Sequence, residues 1–181
     1  MGTPADQSAI DVDQTALGLV SESQYESPQY GTSVEWPTPE ISYDVLVSDE
    51  DSGIDLLRLQ DDDETFSVLV RSFPADGATV DDGVTFWAEE YGQRWDQSTT
   101  LLQQSGDDVG GVVVQFIDDA GNDVVQYIEI YAVPGGDALI EVILTVAPDQ
   151  LQEALAVAQE VELNEASVFQ TFATEEVLAE A

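Results

Sequence analysis

The sequence predicts an α+β domain, in which an antiparallel sheet of about six to eight strands carries two main helices packed on it. Three observations point there. Residues 112–147 hold three Val/Ile/Tyr-rich runs separated by Asp118-Asp119-Ala120-Gly121-Asn122 and Pro134-Gly135-Gly136-Asp137, the pattern of a meander with tight turns. That meander runs directly into a helical stretch after Pro148. A second helical stretch, residues 80–95, places Val84, Trp87, Ala88, Tyr91 and Trp95 at helical spacing.

Taken in order, residues 1–24 are polar and acidic and are expected to be a flexible leader, with a short helix over 16–20 as the one structured piece. They have no basic n-region, no signal-type apolar core and no span long enough to cross a bilayer. The domain is expected to run over residues 25–173, followed by an acidic tail over 174–181. Aromatics around Pro28 and Gly31 suggest a short edge strand, a turn and a second strand ending at Pro37 and Pro39, which cannot donate ladder hydrogen bonds. Residues 43–48, 54–60 and 65–72 read as three strands separated by Asp-rich turns. In the third of these, Phe66, Val68 and Val70 form an apolar face while Ser67, Leu69 and Arg71 form a mixed one.

The first helix carries Asp81 and Asp82 near its start and Arg94 near its end, both favourable to the helix dipole. Residues 99–104 read as a further strand before the meander. The second helix covers 149–161, with Leu151, Ala154, Leu155, Ala158 and Val161 facing inward and Pro148-Asp149 at its start. Residues 168–172 are expected to form a last short strand or a packed extended tail.

Charge excludes several functions. Of 181 residues, 38 are acidic and three basic (Arg58, Arg71 and Arg94), giving a formal −35 at pH 7. Hydrophobic residues still make up 43%, enough for a packed core. A phosphate-binding footprint is missing, so nucleic acid is excluded as a partner and an anionic membrane surface is disfavoured; a basic protein remains a suitable one. The carboxylates repel one another in dilute buffer, and salt shortens that repulsion. Two settings fit: a protein adapted to high salt, or an acidic extracellular or cell-surface protein released from a signal peptide not present in this chain. The cytoplasm of a halophile is the alternative location.

With no cysteine, histidine or lysine, thiolate chemistry, Cys/His zinc sites, Ser-His-Asp triads and Schiff bases are excluded. Ser27, Ser33 and Ser105 have no activating base in view, and no GxGxxG fingerprint occurs. Gly110-Gly111 and Gly135-Gly136 read as strand connections. An enzyme is therefore not expected, although paired carboxylates leave a hydrolase as a minor reading.

Oxygen ligands make Ca²⁺ the one cofactor candidate. The residues that would hold it are Asp49, Asp51 and Asp55 in one loop and Asp118, Asp119 and Asp123 in another, neither with an EF-hand register. Solvated Asp/Gly turns explain both loops as well. A second kind of site would gather Trp36, Trp87, Tyr91 and Trp95 into an aromatic groove for a small ligand or a partner protein, with Glu35 and Arg94 of interest if they converge on it.

The segment Tyr30-Gly31-Thr32-Ser33-Val34-Glu35-Trp36-Pro37, the helix after a strand pair, and Leu144-Thr145-Val146-Ala147-Pro148 before the last helix resemble the PsbP-like α/β/α sandwich superfamily, which includes the Mog-type Ran-binding proteins. The resemblance spans residues 25–172. It implies a central antiparallel sheet flanked by helices and a binding or accessory role, often in exported proteins, some of them lipoproteins. This chain has no lipobox cysteine and few basic residues for a Lys/Arg partner surface, and no functional residue is carried over. Together these readings lead to a non-enzymatic acidic binding or accessory protein, with a calcium-binding or self-assembling surface protein as the alternative.

Overall fold

The computed structural model describes residues 17–37 and 41–170. Its centre is a seven-stranded antiparallel sheet formed by β4 (Ile41–Asp49), β5 (Ile54–Asp61), β6 (Phe66–Pro74), β7 (Thr99–Ser105), β8 (Val109–Ile117), β9 (Asp123–Ala132) and β10 (Ala138–Val146). The order across the sheet is β4-β5-β6-β10-β9-β8-β7. The expected meander is there as three adjacent strands, β8, β9 and β10. β10 then inserts beside β6, with Val142 opposite Val70.

Helix α1 (Val80–Arg94) lies on one face, across β7, β8 and β9. A capping box starts it: the Thr79 hydroxyl accepts from the Asp82 N–H, and the Asp82 carboxylate accepts from the Thr79 N–H. Val80, Val84 and Tyr91 are buried against Val112, Val114, Phe116, Ile128 and Ile130. The helix comes close because Gly110 lies beneath it. A Cβ there would stand 2.4 Å from Val84 Cγ2 and 2.8 Å from Val80 Cγ1. Gly110 and Gly111 thus belong to the interior of β8, not to a connection as the sequence suggested.

The opposite face is covered by two elements. A small sheet runs β1-β2-β3-β11-β12, formed by Leu19–Ser21, Gln24–Glu26, Ser33–Glu35, Glu162–Leu163 and Ala166–Ser167. Beside it, a 3₁₀ turn (Pro148–Gln150) leads into α2 (Leu151–Ala158). Leu19, Tyr25, Val34 and Trp36 from the small sheet side and Leu151, Ala154, Leu155 and Ala158 from α2 share one core with Leu57, Leu59, Val68, Val70, Tyr127 and Leu144. The result is α1, the large sheet, then the small sheet with α2. β8 to β10 bury apolar side chains on both faces, and such burial stabilises by about 25 cal/mol per Å².

Several expectations need correction. Leu19–Ser21 is strand β1, not the end of a short helix, and Gln24 already belongs to β2, so paired chain reaches back into the segment read as a leader. The helix expected over 149–161 is α-helical only over Leu151–Ala158. Val168 and Phe169 are packed in the core without forming a strand, and Phe169 has φ +58. Residues 1–16 of the leader, Thr171, Phe172 and the 174–181 tail lie outside the described residues.

Candidate functional site

The aromatic candidates do not converge. Trp36, 4% exposed, sits in the core beneath the small sheet and stacks obliquely on Tyr43 at 5.4 Å. Trp87, Tyr91 and Trp95 belong to the opposite, α1-side core. Tyr91 lies between Trp87 (5.8 Å) and Phe116 (5.2 Å), and Trp95 stacks on Phe116 at 4.9 Å. Burial pushes the Tyr91 hydroxyl up to about 12, over the opposing pull of Arg94. Arg94 lies over the Trp95 ring at 5.2 Å, while Glu35 is exposed on β3. Tyr91 and Trp95 are packing residues; Trp87 alone of the four reaches a polar group at a surface cleft.

The acidic candidates separate as well. Among the described residues, no group of three or more carboxylates is close enough to hold a metal ion. Asp55 is 1% exposed and spends its oxygens inside the protein, accepting from the Ser27 hydroxyl, Gln29 N (3.1 Å), Gln29 Nε2 (2.8 Å) and Ser48 Oγ (2.9 Å). It staples the small sheet's turn to β5. Asp49 accepts from Asp51 N at 3.0 Å, and hydrogen bonds, the Ser52 hydroxyl first, hold its carboxyl below the usual range. Asp118 accepts from Ala120 N and Asn122 N and is lowered likewise, chiefly by Asn122. Asp123 accepts from Gln115 Nε2. Asp51 and Asp119 are exposed turn residues. Asp49 and Asp118 thus shape turns, while Asp55 and Asp123 tie strands to their neighbours.

A different site stands where α1 stops covering the sheet. Beyond β9 the α1-side face continues over β10, β6 and β5, and there Leu56, Arg58, Leu69, Arg71 and Phe73 are only half-buried. Register puts Arg71 between Leu56 on β5 and Glu141 on β10, with Arg58 opposite Leu69. The edge strand β4 adds Leu46 and Val47, each 39% exposed. Phe86 projects from α1 over this region and is 54% exposed.

At the seam between α1 and this open half lies a cleft of about 350 Å³. Phe73, Phe86, Leu139 and Ala78 give it apolar walls, Asp82 stands at its edge, and Arg71 and Glu141 form its base. Glu141 is 3% exposed; its Oε1 accepts from Trp87 Nε1 at 2.8 Å, and its Oε2 is 3.3 Å from Arg71 Nε. That second contact is an ion pair without hydrogen-bond alignment. Burial raises the Glu141 carboxyl above its ordinary value, outweighing Arg71 and Trp87, which pull it down. The Arg71 guanidinium lies over the Phe73 ring at 4.5 Å. Its head stays partly in water, so the pair anchors the cleft floor without closing it.

A second buried acid, Glu129, faces the other core. It accepts from the Tyr131 hydroxyl and from Phe169 N at 2.8 Å, while Gln159 Nε2 donates to Phe169 O at 2.9 Å. Burial, then the Glu129 charge, pushes the Tyr131 and Tyr127 hydroxyls well above their usual range. This group fastens the chain end at Val168 and Phe169. Sequence reasoning missed Glu129, Glu141 and Phe86. The signal for the two acids was a lone carboxylate inside an apolar strand run.

The layer order and strand order define a PsbP-like, Mog-type α+β fold. Two solved structures share it: the cyanobacterial PsbP (CyanoP) of Synechocystis sp. PCC 6803, at 15% identity over 81% of this chain and 95% of that one with a TM-score of 0.52, and the Saccharomyces cerevisiae Ran-binding protein Mog1p, at 11% identity over 78% and 95% with a TM-score of 0.50. No protein-family model and no curated protein matches the chain. At these identities the likeness is one of fold. Among the described residues, no helix is long and apolar enough to cross a membrane.

Proposed function

We propose that the protein is a non-catalytic accessory protein that binds a partner protein through the open half of its large sheet, beside α1. One observation carries this reading: α1 covers β7 to β9 and leaves Leu56, Leu69, Arg71 and Phe73 only partly buried, with the exposed Phe86 beside Arg71 and Phe73. Contiguous apolar surface of this kind, rimmed by polar groups, marks interaction sites. Local charge supports it too. Two of the three arginines stand here, each answered by a carboxylate, Arg58 by Asp44 at 3.0 Å and Arg71 by Glu141. The patch is therefore near neutral within a chain of −35. A partner meeting it also meets the acidic surroundings, so a basic rim around an apolar centre fits best.

The enzyme reading has less support. The buried carboxylates Asp55, Glu129 and Glu141 are each engaged by donors of this chain. Mog1p is a Ran-binding protein, so this fold can serve a protein ligand, although Ran itself is a partner of Mog1p and gives no name to the partner here. We further propose that the acidic surface suits the protein to high salt, either in a halophile's cytoplasm or outside the cell. Melting in rising KCl tests that: a midpoint climbing steadily to molar salt supports it, and a flat response ends it.

The docking reading is tested by selecting a random peptide display library on the immobilised protein. Recovered sequences should be basic and apolar, and their affinity should fall about tenfold or more against Leu56→Asp and Phe86→Asp. Ile117→Asp, at an exposed position on β8 outside this patch, should bind as the parent does. Peptides that bind all three variants alike would overturn the assignment.

A further inference from the structure

We propose that the cleft between α1 and β6–β10 is an anchor pocket for one aromatic side chain carried beside a positive charge. The inference rests on the docking reading above and specifies the partner's chemistry. At about 350 Å³ the space suits a single ring system. Phe86 and Leu139 offer aromatic and aliphatic walls, where an incoming aromatic gains contact area together with aromatic packing. The Arg71 guanidinium already lies over Phe73 at 4.5 Å, which fixes that wall and leaves the opening to Phe86.

Charge selects the flanking group. Inside the cleft Arg71 and Glu141 cancel at 3.3 Å. Asp82 remains, and both of its hydrogen bonds from Thr79, at 2.8 Å, end on Oδ2. Its Oδ1 is left for a cation at the cleft mouth. A ligand carboxylate would find one arginine, already opposed by Glu141, within the field of a −35 chain. The same field draws cations toward the mouth and weakens with salt. Trp87, bonded to Glu141 Oε1 at 2.8 Å, sits one residue from Phe86 and reports occupancy.

Three indole probes of equal ring size separate the terms: tryptamine, N-acetyltryptophanamide and indole-3-acetate, titrated to millimolar levels and followed by ¹H–¹⁵N NMR. Tryptamine should saturate shifts at Gly83, Phe86 and the Trp87 indole N–H; the neutral probe should bind several-fold more weakly and the anion not at all. Phe86→Ala should weaken tryptamine about tenfold. Asp82→Asn, which keeps a capping oxygen, should reduce tryptamine to the level of the neutral probe. Roughly 1 M salt should narrow that same gap. Equal binding of all three probes overturns the charge selection, and shifts scattered away from the cleft overturn the pocket. If tryptamine binds as described while peptide selection yields nothing, the pocket stands and the partner-protein reading falls. If selected peptides need Leu56 while tryptamine does not bind, the reverse holds.

Discussion

Strands β5 and β6 have two faces of unlike fate. Toward the small sheet, Leu57, Leu59 and Val68 are wholly buried. Toward α1, their neighbours Leu56 and Leu69 are left half-exposed, although leucine is as apolar on one face as on the other. Cover makes the difference. The small sheet and α2 extend over the first face, while α1 stops short of the second. A sealed face is governed by packing; an open one keeps its apolar area for something else.

The largest break in this comparison is expected from the sealed side. Leu59→Ala should cost about 2–5 kcal/mol, read as a lowered denaturation midpoint in molar salt. A loss under about 1 kcal/mol would mean that this face is looser than its burial implies. At the seam, Glu141→Ala strands Trp87 Nε1 and removes the partner of a half-exposed arginine. That should cost about 1–3 kcal/mol by the same assay. The smallest effect belongs to the open side: Leu46→Ser should change stability by no more than about 0.5 kcal/mol.

Glu141 also sharpens the contrast through pH. Its native carboxyl is raised above its ordinary 4.5, so between that value and the raised one the native state holds a proton that the unfolded chain has released. Stability from this group is then present at the acidic end and declines as pH rises through the native value. Glu141→Gln should abolish that decline relative to the parent. Asp82 and Asp118, held low by hydrogen bonds from Thr79 and from Asn122, run the other way: their contribution is present above the usual aspartate range and is lost as pH falls below it. A parent-minus-variant difference flat from pH 4 to 8, the usual carboxylate range and above, would remove Glu141 from the account.

Much of this was legible in the sequence. The period-two pattern of β6, apolar at Phe66, Val68 and Val70 but mixed at Ser67, Leu69 and Arg71, already announced one sealed face and one ambiguous face. The meander and both helices followed from runs and breaks. The small sheet was only half legible, because β11 and β12 are two residues each and hold their place by pairing across the chain, as in Val34 with Leu163. No local period records such a partner. The aromatic groove failed for a related reason: spacing tells which residues share a helix face, not that Trp36 faces the opposite core. Asp55 was read with its loop, yet it shares its parity with Leu57 and Leu59, and that register carried the clue to its burial. Phe86 left no trace in the pattern, since an exposed phenylalanine off the helical stripe acquires meaning only beside Phe73.

Gly110 gives the open face a further property. Beneath α1 it acts as a shim of zero thickness: the missing Cβ sets how low the helix rides, and Val80 and Val84 settle into the space it leaves. Asp82 and Phe86, on the same turns of α1, form one jaw of the cleft, and Phe73 and Leu139, on the sheet, form the other. The gauge of the opening is therefore set in part on a strand that does not line it. A methyl group added at Gly110 would have to displace Val80 and Val84, so we expect variation at this buried position to change the gauge of the cleft while every residue that lines it stays the same.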